Sequence, residues 1–440
     1  MDAAGTEPTL HERHNAVMPA WMATYYDDPL ELVEGTGRHV TGGDGRTYLD
    51  FFGGLLATMV GHDIPEITDA LKRQTDRILH SSTLYLIRNQ VELAEKIAAR
   101  APVDNPKVFF VNSGSEAVET AFLLTTTARR SNQVIALRGS YHGRSFGTVA
   151  TTGIRGWSAS SLSPLQVTYA HSGYKYRSPF GHLPDAEFTA ACRDELQTMI
   201  ETSTSGDIAC YIAEPIQGAG GFATPPDDFF REMKTVLDRY QVPFVADEVQ
   251  SGWGRTGRSY FAIEHYGIRP QAITFAKGLA NGIPIGGVVA ETELMDCLTA
   301  NSISTAGGNP IATTTANAVI DYIESHELQA NADRVGRILH DGLESIARSC
   351  PLIGEVRGAG LMIGVELVLP GTRTPAVDLT NTVLAEARAS GLLIGKGGLA
   401  GNVLRVTPPM TVTETEAHDA LAILRDVLAK VHQTGIPTSI

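Results

Sequence analysis

The chain has 440 residues, enough for two or three domains around a sizeable core. Its 43% hydrophobic and 19% charged residues exclude a disordered or fibrous protein. A net charge of −14 argues against a general electrostatic footprint for nucleic acid or anionic membrane. No apolar run approaches the roughly 18 residues of a membrane span, and MDAAGTEPTLHERHN at the start carries no secretory pattern. Cys192, Cys210, Cys297 and Cys350 are scattered, without CxxC or other metal-ligand spacing, so no metal is called for and the cytoplasm is the expected compartment.

The first clear pattern is RHVTGGDGRTYLDF, Arg38 to Phe51, which reads as two short strands around a Gly-Asp-Gly turn. From about residue 64 to 300, short apolar runs (KVFFVN, QVIALR, IACYIAEP, VPFVADE, AITFAK) alternate with helical patterns such as EAVETAFLLTTTARR and DDFFREMKTVLDRY. Continuous apolar strands between helices predict an α/β fold with a mainly parallel sheet covered on both faces. GGNP opens a long helical region to about Ser349, and the tail mixes strands (LMIGVELV, VLRVTPP) with helices. The expected organisation is a large domain over 64–325 and a smaller α+β domain. Residues 326–440 build that smaller domain, with residues 1–63 contributing to it, so it is discontinuous in sequence.

Ligands of open parallel sheets bind beyond the carboxyl ends of the strands, and four such ends carry unusual residues. FFVNSGSEAVETA places Ser113, Gly114 and Ser115 between a strand and a helix, where free N–H groups make a phosphate cradle. An ordinary serine N-cap accounts for the same residues equally well. RGSYHGRS offers Tyr141, His142 and Arg144 around a glycine, although aromatic residues in loops often only pack. VPFVADEVQ ends a buried strand in Asp247-Glu248, which implies something cationic for the carboxylates to face. The following GWGRTG matches GxGxxG but does not follow its strand directly, so the dinucleotide reading is rejected. Finally, ITFAK ends a strand in Lys277; the plain reading of one such lysine is an ammonium reaching out to water.

Taken together, an anion cradle, an aromatic plate, a buried acid and a lysine suit a phosphorylated, flat, cationic heteroaromatic aldehyde. Burial lowers the lysine pKa from about 10.4 and makes it a nucleophile or base. An aspartate that keeps a pyridine nitrogen protonated turns the ring into an electron sink. That molecule is pyridoxal 5′-phosphate.

With these residues in view, the sequence resembles a class III (omega) aminotransferase, a fold-type I pyridoxal-phosphate enzyme. The likeness runs from YLDFFGGLLATMVGH through VNSGSEA, YHGR, AEPIQG, ADEVQSGWGRTG, FAKGLANGIPIGG and GGNP to LRVTPPM. RGSYHG, AEPIQG and VRGAGLMIGVEL bring it nearest the alanine–glyoxylate aminotransferase 2-like branch. The resemblance implies a seven-stranded, mainly parallel sheet in the large domain and ping-pong transfer between an amino donor and an oxo acid such as pyruvate, glyoxylate or 2-oxoglutarate. A lyase, of phospho-lyase type, or an epimerase on the same scaffold is the alternative.

Residue by residue, Lys277 resembles the Schiff-base lysine, Asp247 the pyridine-nitrogen partner and Gln250 the neighbour of the phenolic oxygen. Tyr141 and Val249 resemble the residues that sandwich the ring; Ser113, Gly114, Ser115 and His142 belong to the cofactor set. Arg405 resembles the arginine for a substrate α-carboxylate, and Glu214 a glutamate that neutralises it when an ω-amine is bound. Arg144 and Leu55 join them on the substrate side. Thr305 in STAGGNP resembles a threonine that reaches the neighbouring subunit's phosphate, which implies a homodimer, possibly a tetramer. Four positions depart from the pattern: Ile64 replaces a usual histidine, Trp253 a phenylalanine and Ala306 a Phe or Tyr, and Arg144 is foreign to the branch named above.

Overall fold

The computed structural model describes residues 7–434. It contains two seven-stranded sheets. In chain order the strands are β1 (Leu32–Thr36), β2 (His39–Gly42), β3 (Thr47–Phe51), β4 (Pro106–Val111), β5 (Gln133–Leu137), β6 (Gln166–Ala170) and β7 (Cys210–Ala213). They continue with β8 (Phe244–Asp247), β9 (Ala272–Phe275), β10 (Gly286–Glu291), β11 (Ile353–Ala359), β12 (Met362–Leu367), β13 (Leu392–Gly397) and β14 (Val403–Val406).

The larger sheet runs β4-β10-β9-β8-β7-β5-β6. Strands β6, β5, β7, β8 and β9 are mutually parallel, and β10 is antiparallel to both neighbours. The fold class expected from the sequence is therefore present, with one reversed strand. Every residue of β5, β7, β8 and β9 is buried, as it must be for strands covered on both faces. One covering helix, Gly114–Arg129, presents Ala117, Val118, Ala121 and Phe122 to the sheet. Another, Phe229–Arg239, buries Phe229, Phe230, Met233, Val236 and Leu237, at i, i+1, i+4, i+7 and i+8, one face of an amphipathic helix.

The second sheet runs β1-β2-β3-β13-β14-β12-β11. Strands β2 and β3 form the antiparallel hairpin around Gly-Asp-Gly, and β3 joins β13 in parallel register, Leu49 beside Leu392. The two ends of the chain thus meet in one sheet. Its helices include Leu328–Ala347 and Glu414–Thr434, each burying a mainly apolar face. The helical region after GGNP is two helices, Pro310–Ser325 and Leu328–Ala347; Glu327, at φ 50°, ends the first path and starts the second.

The GxGxxG look-alike has a structural task at the seam between the sheets. Trp253 lies in the core against Phe261 and Phe275, at ring-centroid distances of 5.3 and 5.5 Å. Arg255 is 1% exposed and donates from Nη1 to the carbonyls of Leu361 (3.3 Å) and Pro408 (2.9 Å). Ile64 is likewise a core residue. Two of the departures from the family pattern are thus changes of packing. Among the described residues no helix is long and apolar enough to cross a membrane.

Candidate active site

A cavity of about 310 Å³ opens beyond the carboxyl ends of β4, β5, β8 and β9, within the roughly 300–1,000 Å³ usual for small-molecule sites. Ser113, Gly114, Ser115, Tyr141, His142, Arg144, Glu214, Asp247, Val249, Gln250 and Lys277 all line it. The four strand ends singled out in the sequence therefore converge.

At the end of β4, Ser113 caps the following helix: its Oγ accepts from the Glu116 N–H at 3.2 Å. Among the described residues no acceptor meets the N–H groups of Gly114 or Ser115. The N-cap and a pair of free N–H groups thus coexist on adjacent residues. A Cβ at 114 would stand 3.2 Å from Val249 Cγ1, so any larger residue there would press on that side chain.

At the end of β8, the Asp247 carboxylate accepts from His142 Nδ1 at 2.7 Å through Oδ2 and from the Val249 N–H at 3.1 Å through Oδ1. The other imidazole nitrogen, His142 Nε2, is buried without a partner among the described residues. Glu248 departs from the sequence expectation, since no cation faces it among the described residues. Its carboxylate accepts from Ser251 Oγ (2.5 Å) and from the Ile263 N–H (2.7 Å), which anchors the short turn Ala262–Tyr266. Burial pushes this carboxyl up to about 7.

Lys277 follows β9 with φ 45°, a left-handed conformation that a non-glycine residue adopts only when its surroundings impose it. Asn281 supplies part of that constraint: its amide donates to the Gly61 carbonyl (2.8 Å), and its Oδ1 accepts from the Val60 N–H (3.0 Å). Lys277 Nζ has no ion-pair or hydrogen-bond partner among the described residues. Desolvation and then the Arg405 charge lower its pKa, against the opposing pull of Asp247 and Glu214.

Arg405, on β14, is 3% exposed and sits just behind this lining. Its Nη2 donates to Gln250 Oε1 at 2.7 Å, its Nε is buried without a partner, and no carboxylate pairs with it among the described residues. The Phe222 ring lies 4.6 Å from its guanidinium carbon and Phe52 5.9 Å. Glu214 is held apart from it, accepting from the N–H groups of Tyr141 and Gly218, both at 2.8 Å. Burial, partly offset by His142, raises Glu214 to about 7.

Arg144 stands exposed at the rim with its guanidinium 5.4 Å from the ring centroid of Trp21. Leu55, in an irregular turn at φ 65°, and Thr305 are exposed and outside the cavity lining. Aromatic neighbours missed in the sequence are Trp157, edge-on to Tyr141 at 5.8 Å, together with Phe222, Phe52 and Trp21. They come from segments far apart in the chain, and no local spacing marks them.

Pyridoxal phosphate fits these groups: the free N–H pair suits a phosphate, the oriented carboxylate a ring nitrogen, and the unpaired, low-pKa amine an aldehyde. Such a site at the strand ends of a mainly parallel sheet defines a fold-type I pyridoxal-phosphate enzyme. The chain belongs to the class-III aminotransferases: the family pattern, "Aminotransferase class-III", matches residues 22–428. It is 36% identical over 410 residues to an Arabidopsis thaliana protein, "Alanine--glyoxylate aminotransferase 2 homolog 2, mitochondrial", covering 93% of this chain and 84% of that one. It is 34% identical over 407 residues to an "Alanine/serine racemase" of Pyrococcus horikoshii, covering 90% and 85%. A PMP-bound aminotransferase crystal structure from Vibrio fluvialis superposes with a TM-score of 0.90 at 26% identity, over 98% of this chain and 99% of the other. The protein is a pyridoxal-phosphate-dependent aminotransferase.

Proposed function

We propose that this enzyme accepts a 2-oxo acid in one half-reaction and an amino acid or ω-amine donor in the other, with Arg405 as the carboxylate receptor. The observation that carries this is the buried Arg405 guanidinium, which has a free Nε and no carboxylate partner among the described residues. A buried charge without a counter-ion is costly, and a substrate carboxylate suits its planar fork.

The bound cofactor supplies an aldehyde for the amine and a ring that accepts electron density. Gly114 and Ser115 would hold its phosphate through their free N–H groups, and Tyr141 and Val249 would flank its ring. Asp247, oriented by His142, would hold the proton on the ring nitrogen, and Gln250 would serve the phenolic oxygen. Lys277 Nζ moves the proton at the substrate carbon; its lowered pKa provides the neutral amine that general base work needs.

The proposed assembly is a homodimer in a reducing compartment such as the cytoplasm. Thr305 would complete the phosphate site of a second copy, which accounts for its exposure away from the cavity. Leu84, Tyr85 and Leu86, exposed by 75%, 73% and 99%, offer the apolar surface for that contact. The four cysteines are unpaired.

Likeness to a racemase over most of the chain supports a second reading, epimerisation on the same residues. One experiment separates them. Loaded enzyme given one enantiomer of alanine and no oxo acid should release about one equivalent of pyruvate per site and stop. Continued loss of optical activity would establish the racemase instead, and continued product release a lyase.

A further inference from the structure

The turn Gly218–Phe222, in AEPIQGAGGF, touches both charged groups of the substrate side. Its first N–H, from Gly218, donates to Glu214 Oε2. At its end Phe222 is fully buried, stacks on Arg405 and has φ 57°, a left-handed backbone in a bulky residue. Such a conformation persists only where neighbours over-determine it. Two internal bonds close the turn: Gly221 N–H to the Gly218 carbonyl and Phe222 N–H to the Gln217 carbonyl. Two further constraints come from the other sheet, where the Gly398 N–H donates to the Ala219 carbonyl and Arg357 Nε on β11 donates to the Gly221 carbonyl, both at 2.9 Å. Of these only the Arg357 bond is made by a side chain and acts on the residue next to Phe222.

Arg357 is held in place for that bond. Its Nη1 donates to Glu355 Oε2 (2.5 Å) and to Glu366 Oε2 (2.7 Å), and its guanidinium carbon lies 4.4 Å from the Tyr174 ring centroid. Glu366, 1% exposed as a side chain, also accepts from Arg177 Nε at 2.7 Å and from the Tyr174 hydroxyl. Opposite Arg357 in register is Gly364, where a Cβ would stand 2.5 Å from the Gly221 carbonyl oxygen. Neither Arg357 nor Glu366 lines the cavity. Burying such a network gains little stability over an apolar core, so its geometry calls for another account.

We propose that Arg357 is a positioning residue for carboxylate recognition: through the Gly221 carbonyl it fixes Phe222 against the Arg405 guanidinium and sets the plane of the fork. This rests on the reading of Arg405 as the carboxylate receptor. Removing the clamp lets Phe222 relax and tilts Arg405, which weakens the oxo acid while the chemistry at Lys277 is untouched.

The test uses loaded enzyme and four variants, Arg405→Ala, Arg357→Ala, Arg357→Lys and Gly364→Ala. KM and kcat for pyruvate are measured, together with the half-reaction rate of an alkylamine without a carboxylate. A charge-assisted hydrogen bond to a carboxylate is worth roughly ten- to a hundredfold in affinity, so the partial release in Arg357→Ala should raise KM about tenfold. Its kcat should stay within about twofold and the alkylamine rate should be unchanged. Arg357→Lys, which keeps a charge facing Glu366, should recover part of the loss. Gly364→Ala leaves every charge in place, presses on the Gly221 carbonyl, and should raise KM in the same direction. Arg357→Ala added to Arg405→Ala should cost nothing further. Additive losses, or equal losses on pyruvate and alkylamine, would overturn the proposal and leave Arg405 as receptor. So would a normal KM in Arg357→Lys and Gly364→Ala while Arg405→Ala is impaired. An unchanged KM in Arg405→Ala would remove the receptor itself, and the clamp with it.

Discussion

His142 Nδ1 and Asp247 Oδ2 lie 2.7 Å apart, with both side chains closed off from solvent. The imidazole donates and the carboxylate accepts, so His142 fixes which way Asp247 faces. Asp247→Asn should retain the cofactor but turn over at least about 100-fold more slowly, the usual scale for losing a positioned proton partner. His142→Phe, which keeps the ring and removes the donor, should cost less, about tenfold. Equilibrium dialysis of the cofactor with single-turnover rates measures both, and an Asp247→Asn enzyme of native rate would refute the assignment.

Lys277→Ala should abolish turnover and the visible absorbance of the lysine-bound cofactor. Phosphate-side binding through Gly114 and Ser115 should survive as a weaker, dialysable association. A variant that retained both the band and the activity would place the reactive amine elsewhere.

Arg144→Ala should raise KM by about one power of ten for donors with a distal carboxylate, such as 4-aminobutyrate. That corresponds to the roughly 1.5 kcal/mol of a charge-assisted hydrogen bond. Simple alkylamines should be spared. Loss of the exposed stack on Trp21 removes only about 0.5–1 kcal/mol from the fold. Equal losses on all donors would show that Arg144 merely braces the Tyr141 loop.

The Glu248 carboxyl predicts a pH dependence of stability. Its folded pKa, about 7, lies above the roughly 4.3 of an unfolded glutamate. The folded chain therefore binds the extra proton, and this stability is fully present below about pH 4.3 and lost as pH rises through about 7. Glu248→Gln keeps an acceptor for the Ile263 N–H and removes the ionisation. The Tm advantage of this variant over the native chain should widen by a few degrees from pH 5 to pH 8. A constant difference across that range would show that the carboxyl ionises at its ordinary pKa.

Thr305→Ala should weaken cofactor retention if a second copy supplies that hydroxyl, and the native chain should sediment as a dimer whose stability rises with added cofactor. A fully active monomer would contradict the shared site.

The parts of the site carried by short local patterns were legible in the sequence. Asn112 to Glu116, Tyr141 to Arg144, Asp247 to Gln250 and Lys277 each follow an apolar strand, and placing those strands side by side brings the residues together. The reversal of β10 was not legible, because an apolar strand reads the same in either direction. Glu248 misled: its carboxylate caps backbone N–H groups 15 residues onward, and nothing local distinguishes that from a cation partner. The Phe222–Arg405 stack joins residues 183 positions apart and depends on a backbone conformation disfavoured for phenylalanine, so propensity pointed away from it.

The Arg255 guanidinium has a consequence for how the molecule comes apart. Its hydrogen bonds among the described residues run to the carbonyls of Leu361 and Pro408, across the seam between the sheets. Separating the sheets breaks both bonds at once, so either half is penalised for opening alone. The seam therefore behaves as a rivet rather than a hinge. Lys277, just after β9, and Arg405, on β14, stand on opposite sides of that seam, so the same two bonds help to keep them aligned.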